Sequence, residues 1–156
     1  MSRQRYFEIL CAVVLVVFIG AMLAGNAGSS KTAQEVFTPV TEQVDLDSLM
    51  VRDNTVLVKE FSFGEKDVEN VIYISSDSVM EVRELLLVEA KTSEDVQRIT
   101  ELIKNRVEAK KALFKNYAPE QSALLENFVL IRKGKFIFYT VYDEPEKLAR
   151  AFKKAL

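Results

Sequence analysis

The sequence predicts an α+β fold: a small four-stranded, mainly antiparallel sheet packed against a long helix and a C-terminal helix, behind one N-terminal hydrophobic segment. Three observations predict it. Short β-branched and apolar runs come in two sequence-adjacent pairs, Val71–Ser75 with Arg83–Ala90 and Phe128–Arg132 with Lys135–Tyr142. A 3.6-period stripe separates the pairs and implies a long helix. An uncharged stretch from Ile9 to Gly25 precedes everything else. Sequence-adjacent pairs favour antiparallel pairing, with the helices on one face of the sheet.

The first element is the hydrophobic stretch. Ser2-Arg3-Gln4-Arg5 is a short basic lead. Residues 9–25 then span roughly 25 Å as a helix, and Tyr6 and Phe7 can extend it at the interface. The basic end stays in the cytoplasm, which places the C-terminal part outside a bacterial-type plasma membrane. An uncleaved single-pass anchor over residues 1–27 is the first reading. A signal peptide cleaved near Ala27 is the alternative, because Gly25-Asn26-Ala27 offers the small residues a signal peptidase needs. Lipid attachment is disfavoured, since Cys11 opens the apolar run instead of following it.

Residues 28–44 are rich in Gly, Ser, Thr and Gln, contain Pro39, and read as a flexible tether. The remaining 45–156, roughly 110 residues, suffice for one hydrophobic core. From Thr55 to Phe63 a strand and a short helix before the Gly64 break both fit. Val71–Ser75 is a short strand, Ser76-Asp77-Ser78 a turn, and Arg83–Ala90 a second strand. Within the latter, Leu85, Leu86, Leu87 and Val88 form a run buried on both faces.

The helix from Ser93 to about Asn116 is the clearest element. Thr92 and Asp95 have capping spacing, and Val96, Ile99, Ile103, Val107, Phe114 and Tyr117 make one apolar stripe. Pro119 opens a short helix through about Leu125. A hairpin then turns at Lys133-Gly134. Asp143, as N-cap, with Pro145 and Glu146, starts a last helix that buries Leu148, Ala151, Phe152 and Leu156.

Composition excludes more than it assigns. Apolar residues make up 49% of the chain, as in an ordinary globular protein. Of 21 Lys+Arg and 23 Asp+Glu, Arg3, Arg5 and Glu8 fall in residues 1–27; 19 basic and 22 acidic residues remain, a net charge of −3. That lacks the basic excess of a nucleic-acid binder and argues against broad adhesion to anionic membrane. There is no histidine, and Cys11 is the single cysteine. Ser-His-Asp and Cys-His catalysis, and the usual zinc, copper and haem sites, are therefore excluded. No Gly-rich phosphate loop and no nucleophile elbow occurs, so no cofactor, metal or catalytic residue is nominated.

Between Arg106 and Gln121 the chain reads Arg-Val-Glu-Ala-Lys-Lys-Ala-Leu-Phe-Lys-Asn-Tyr-Ala-Pro-Glu-Gln. With Leu124-Leu125-Glu126-Asn127, the Gly134 hairpin and the acidic turn before the last helix, this stretch resembles a bacterial family, domain of unknown function four-three-five-eight. The core Phe114-x-x-Tyr117-x-Pro119-Glu120-Gln121 is its most specific part, and the resemblance runs from about Asp45 to the C-terminus. It implies an exported, membrane-tethered or lipid-anchored protein of Gram-positive bacteria with no assigned activity. It also implies proximity, in some members, to membrane-bound acyl transfer onto envelope polymers. This chain departs from the lipoprotein members in lacking a usable lipid-attachment cysteine.

Candidate sites are few. Arg106, Phe114, Tyr117 and Gln121 could form a binding corner between the two central helices; equally, the aromatics finish the core and Pro119 sets the corner. Arg106 suits a carboxylate or phosphate, or else pairs with Glu108 or Glu89. Asp143, Glu144 and Glu146 sit too close together to flank a scissile bond, and Asp45-Leu46-Asp47-Ser48 lacks the glycine of a calcium loop. Lys110, Lys111 and Lys115 could meet an anionic envelope polymer, diluted by Glu101, Glu108 and Glu120. The expected function is a non-catalytic, membrane-tethered extracytoplasmic module of the cell envelope, binding or supporting a protein or polymer partner. The alternative is a histidine-independent envelope enzyme using Asp/Glu or Lys. A purely structural spacer reads the same way from sequence.

Overall fold

The computed structural model describes residues 31–45 and 48–156. The expected membrane segment lies outside them, and among the described residues no helix is long and apolar enough to cross a membrane.

The first described element is a helix, α1 (Ala33–Thr41), within the stretch expected to be a tether. Thr32 caps it in a reciprocal box: its Oγ1 accepts from the Glu35 N–H, and the Glu35 carboxylate accepts from the Thr32 N–H at 2.8 Å. Val36, Phe37 and Val40 are buried along one side. Three apolar side chains, correctly spaced, suffice to dock a segment whose composition is otherwise that of a linker.

A short edge strand follows, β1 (Leu49–Val51). The ambiguous segment then resolves as helix α2 (Asn54–Phe61). Asp53 caps it, accepting from the Thr55 N–H at 2.8 Å, and Ser62 ends it in the left-handed region at φ 62°. The first long strand is β2 (Val68–Ser76), with an irregularity between Val68 and Asn70. Next come β3 (Glu84–Ala90), α3 (Ser93–Phe114) and α4 (Pro119–Glu126). Thr92 caps α3 by accepting from the Asp95 N–H at 3.1 Å, as the spacing predicts. The hairpin β4 (Val129–Lys133) and β5 (Phe136–Val141) turns through Gly134 at φ 58°. Helix α5 (Pro145–Ala155) is last. Its N-cap is Glu144, not Asp143; the Asp143 carboxylate is held by Arg83 instead.

The sheet has five strands in the order β1-β2-β3-β5-β4, every neighbouring pair antiparallel. Four were expected. β1 is too short to carry a period-2 signal. The helices cover both faces, not one. Leu86 and Val88 of β3, with Ile137 and Tyr139 of β5, pack against α2, α3 and α4. Leu85 and Leu87, with Phe136 and Phe138, pack against α1 and α5. The alternation of a strand's side chains gives each central strand one foot in each core. Every residue of β3 and β5 is buried, as the apolar run in β3 predicts.

Candidate functional site

β3 opens with Glu84, whose side chain points to the α3 side and is 1% exposed. An ionised carboxylate there is tolerable only with charged partners and complete hydrogen bonding. Two neighbouring strands supply hydroxyls: Tyr73 of β2 and Tyr139 of β5 each donate to Glu84 at 2.7 Å. α3 supplies the cations. Arg106 donates to both Glu84 oxygens at 2.6 and 3.0 Å, and Lys110, one turn on, lies 3.4 Å from both. The Arg106 guanidinium stacks 4.2 Å from the centre of the Phe61 ring and also donates to Glu60 of α2 at 2.9 Å. Among the described residues no buried side-chain polar atom lacks a partner.

Electrostatics follow from this geometry. Burial raises the Glu84 pKa, but the Arg106 and Lys110 charges and the donated hydrogen bonds outweigh it and hold the carboxyl down at about 2. Burial works against the Arg106 charge, and Glu84 more than restores it. Burial, then the Glu84 charge, drives the Tyr73 and Tyr139 hydroxyls up, so both stay protonated donors. Burial lowers Lys110 against the pull of Glu84. Such a carboxylate neither takes nor gives a proton near neutral pH.

The cluster floors an open cavity of about 320 Å³ between α2, the second half of α3 and the turn after β2. Its outer wall is polar and internally paired. Arg52 holds Ser75 at 2.8 Å, Asp77 at 3.0 Å and the Ser76 carbonyl. Arg83 holds Glu81 and, in two bonds of 2.8 and 2.9 Å, Asp143. The rim is apolar and exposed: Val79 of the turn and Leu113 of α3 line the mouth at 87% and 61% exposure. Tyr117, half-exposed, stacks 5.2 Å from Phe114, which is buried on the cavity wall.

The expected binding corner is therefore divided. Arg106 and Phe114 line the cavity; Tyr117 and Gln121 do not. Tyr117 leaves the core stripe it was expected to close, because α3 ends at Phe114. The Gln121 side-chain oxygen instead accepts from the Val82 N–H at 3.0 Å, tying α4 to the approach to β3. Arg106 pairs with Glu84 and Glu60 instead of Glu108 or Glu89. Glu108 meets Lys111 at 3.2 Å, and Glu89 meets Lys135 and Asn70. The three-lysine patch also disperses: Lys110 turns into the cavity, whereas Lys111 bridges Glu108 and Glu126 and covers the Phe128 ring. Among the described residues no group of acidic or cysteine side chains is placed to hold a metal, and residues 46 and 47 of the Asp45–Ser48 run lie outside them.

Sequence reasoning missed Glu84, Glu60, Tyr73 and Tyr139. One signal pointed to the first: a carboxylate at the head of a run buried on both faces requires a cation, and Arg106 was the available one.

Fold and site together define a small α+β module whose open cavity sits on a closed, fully paired ion cluster. The chain matches the family model described as Domain of unknown function (DUF4358) over residues 42–142 and belongs to that family. No curated protein and no solved structure matches it. The match takes in the sheet, α2, α3 and α4; α1 and α5 lie outside its bounds.

Proposed function

We propose that this chain is a membrane-tethered, extracytoplasmic, non-catalytic module of the bacterial cell envelope, held by residues 9–25, that docks an envelope partner at the cavity mouth. The carrying observation is the contrast between the cavity's floor and its rim. The charged groups of the floor are paired with one another, and the Glu84 carboxylate and Arg106 guanidinium at its centre are closed off from proton transfer, which favours a docking role over a catalytic one. The rim, in contrast, offers exposed Val79 and Leu113 beside a polar wall, the composition of a docking edge. An apolar anchor from a partner protein would seat against Leu113 and Phe114, with hydrogen bonds to Ser75 and Ser78 at its side.

Photo-crosslinking in the full chain, in its own membrane, tests this. A photoreactive residue at Val79 or Leu113 is expected to give the same discrete adduct, which one at Glu101, exposed on α3, does not give. No adduct at either position, or one shared with Glu101, would remove the cavity mouth as the docking edge.

A further inference from the structure

The layer on the other side of the sheet carries a different feature. α5 contains Lys147, Arg150, Lys153 and Lys154 against one acid, Glu146. At 3.6 residues per turn, Lys147, Arg150 and Lys154 fall within about a sixth of a turn of one another, opposite the buried Leu148 and Phe152. All four basic side chains are exposed. Lys147 lies 4.0 Å from Glu144; among the described residues Arg150, Lys153 and Lys154 form no ion pair within that distance. The module is acidic as a whole, so this is charge segregated onto one helix.

The anchor side of the chain enters at the same place. The Lys31 ammonium donates to the Ala155 carbonyl, so residue 31 sits at the C-terminal end of α5. Only six peptide steps separate Lys31 from Gly25, the end of the expected span, and they reach at most about 20 Å.

We infer that the outer face of α5, around Arg150 and Lys154, rests on the anionic phospholipid headgroups of the bilayer that anchors the chain. This rests on the anchored reading of residues 9–25 proposed above. The chemistry is complementary: unpaired Lys and Arg side chains meet phosphates across a wet surface, and the short tether supplies a high effective concentration. Each basic residue at an anionic surface strengthens the contact about five-fold. Glu35 of α1 and Glu42 just after it line the groove beside Lys154, and Glu144 and Glu146 sit at the start of α5, so the surface is confined to α5's outer side. With α5 towards the bilayer, the cavity mouth on the opposite layer faces away from it.

The test uses the full chain in nanodiscs of phosphatidylcholine alone and of phosphatidylcholine with phosphatidylglycerol. An uncharged acylating reagent marks accessible lysines, read by mass spectrometry. Lys153 and Lys154 are expected to label about five-fold more slowly in the anionic discs, and Lys104 on α3 equally in both. Salt near ~1 M should erase the difference, and Arg150→Glu should reduce it. Equal labelling of Lys153 and Lys154 in both discs overturns this inference alone. A chain that does not co-migrate with either disc overturns the anchor, and the inference with it.

Discussion

The two faces of the sheet share their strands but solve burial differently. Towards α1 and α5 the core is dry except at its edge: Phe37, Leu85, Leu87, Phe136, Phe138 and Phe152 pack together, Phe138 and Phe152 stack at 4.9 Å, and the buried Glu89 at the end of β3 is paired with Lys135 and Asn70. Towards α3 an equally buried layer encloses a carboxylate, a guanidinium and two phenols. Burial drives the first face in proportion to area, and tolerates many apolar shapes. The second gains little net energy from its ions but is intolerant of error. A one-residue slip of β3 would carry Glu84 to the dry side, beside aromatic rings and far from Arg106. The polar cluster thus specifies register, whereas the dry layer supplies much of the burial.

The comparison can be broken most directly by uncoupling the ions. Glu84→Leu alone and Arg106→Met alone should each cost about 3–5 kcal/mol in denaturant unfolding, because each strands a buried charge. The double variant should recover most of that loss. Tyr73→Phe and Tyr139→Phe added to it should recover about 1–3 kcal/mol per hydroxyl otherwise left without an acceptor. Additive losses across the cycle would mean that the two charges act independently and the cluster is not a unit.

A second variant pair sharpens the boundary between core and rim. Phe114→Ala should cost about 3–5 kcal/mol, a large share of the ~5–15 kcal/mol such domains possess. Tyr117→Ala, next to it but 48% exposed, should stay within about 1 kcal/mol. Equal losses would return Tyr117 to the core.

Acid gives the smallest effect near neutral pH and probes the Glu84 cluster once the parent is compared with a variant that lacks its charge. The Glu84 pKa is lower folded than its free value of 4.5, so the cluster's contribution is complete above about 4.5. It is lost as pH falls towards about 2. The unfolding midpoint of the parent should fall through that window, and in Glu84→Gln the fall should be shallower. An unchanged slope would mean that other carboxylates, such as Asp143 beside Arg83, dominate acid unfolding.

These tests also mark what was legible in the sequence. The long helix could be read because Thr92 and Asp95 cap it and Val96, Ile99, Ile103 and Val107 repeat at its period. β3 and the hairpin declared themselves by an unbroken apolar run and by Gly134. α1 did not, because Val36, Phe37 and Val40 are three apolar residues in a polar stretch, visible only once α5 is there to receive them. It joins α5 on the face opposite α3, so that the helices occupy both faces and not one. The site was half legible. Arg106 and Phe114 stood out on the helix that carries them, but their partners come from strands far away in sequence. Which face a strand side chain takes depends on pairing, and that hid the convergence of Tyr73, Glu84 and Tyr139 on one guanidinium.

The bond from Lys31 to Ala155 has a mechanical side. The chain enters and leaves the domain at one point, so a pull between residues 31 and 155 does not run through the sheet. It acts first on the contact between α1 and α5, which can peel one helix at a time while the ladders between strands stay unloaded. Tension would strip the dry layer long before it reached Glu84.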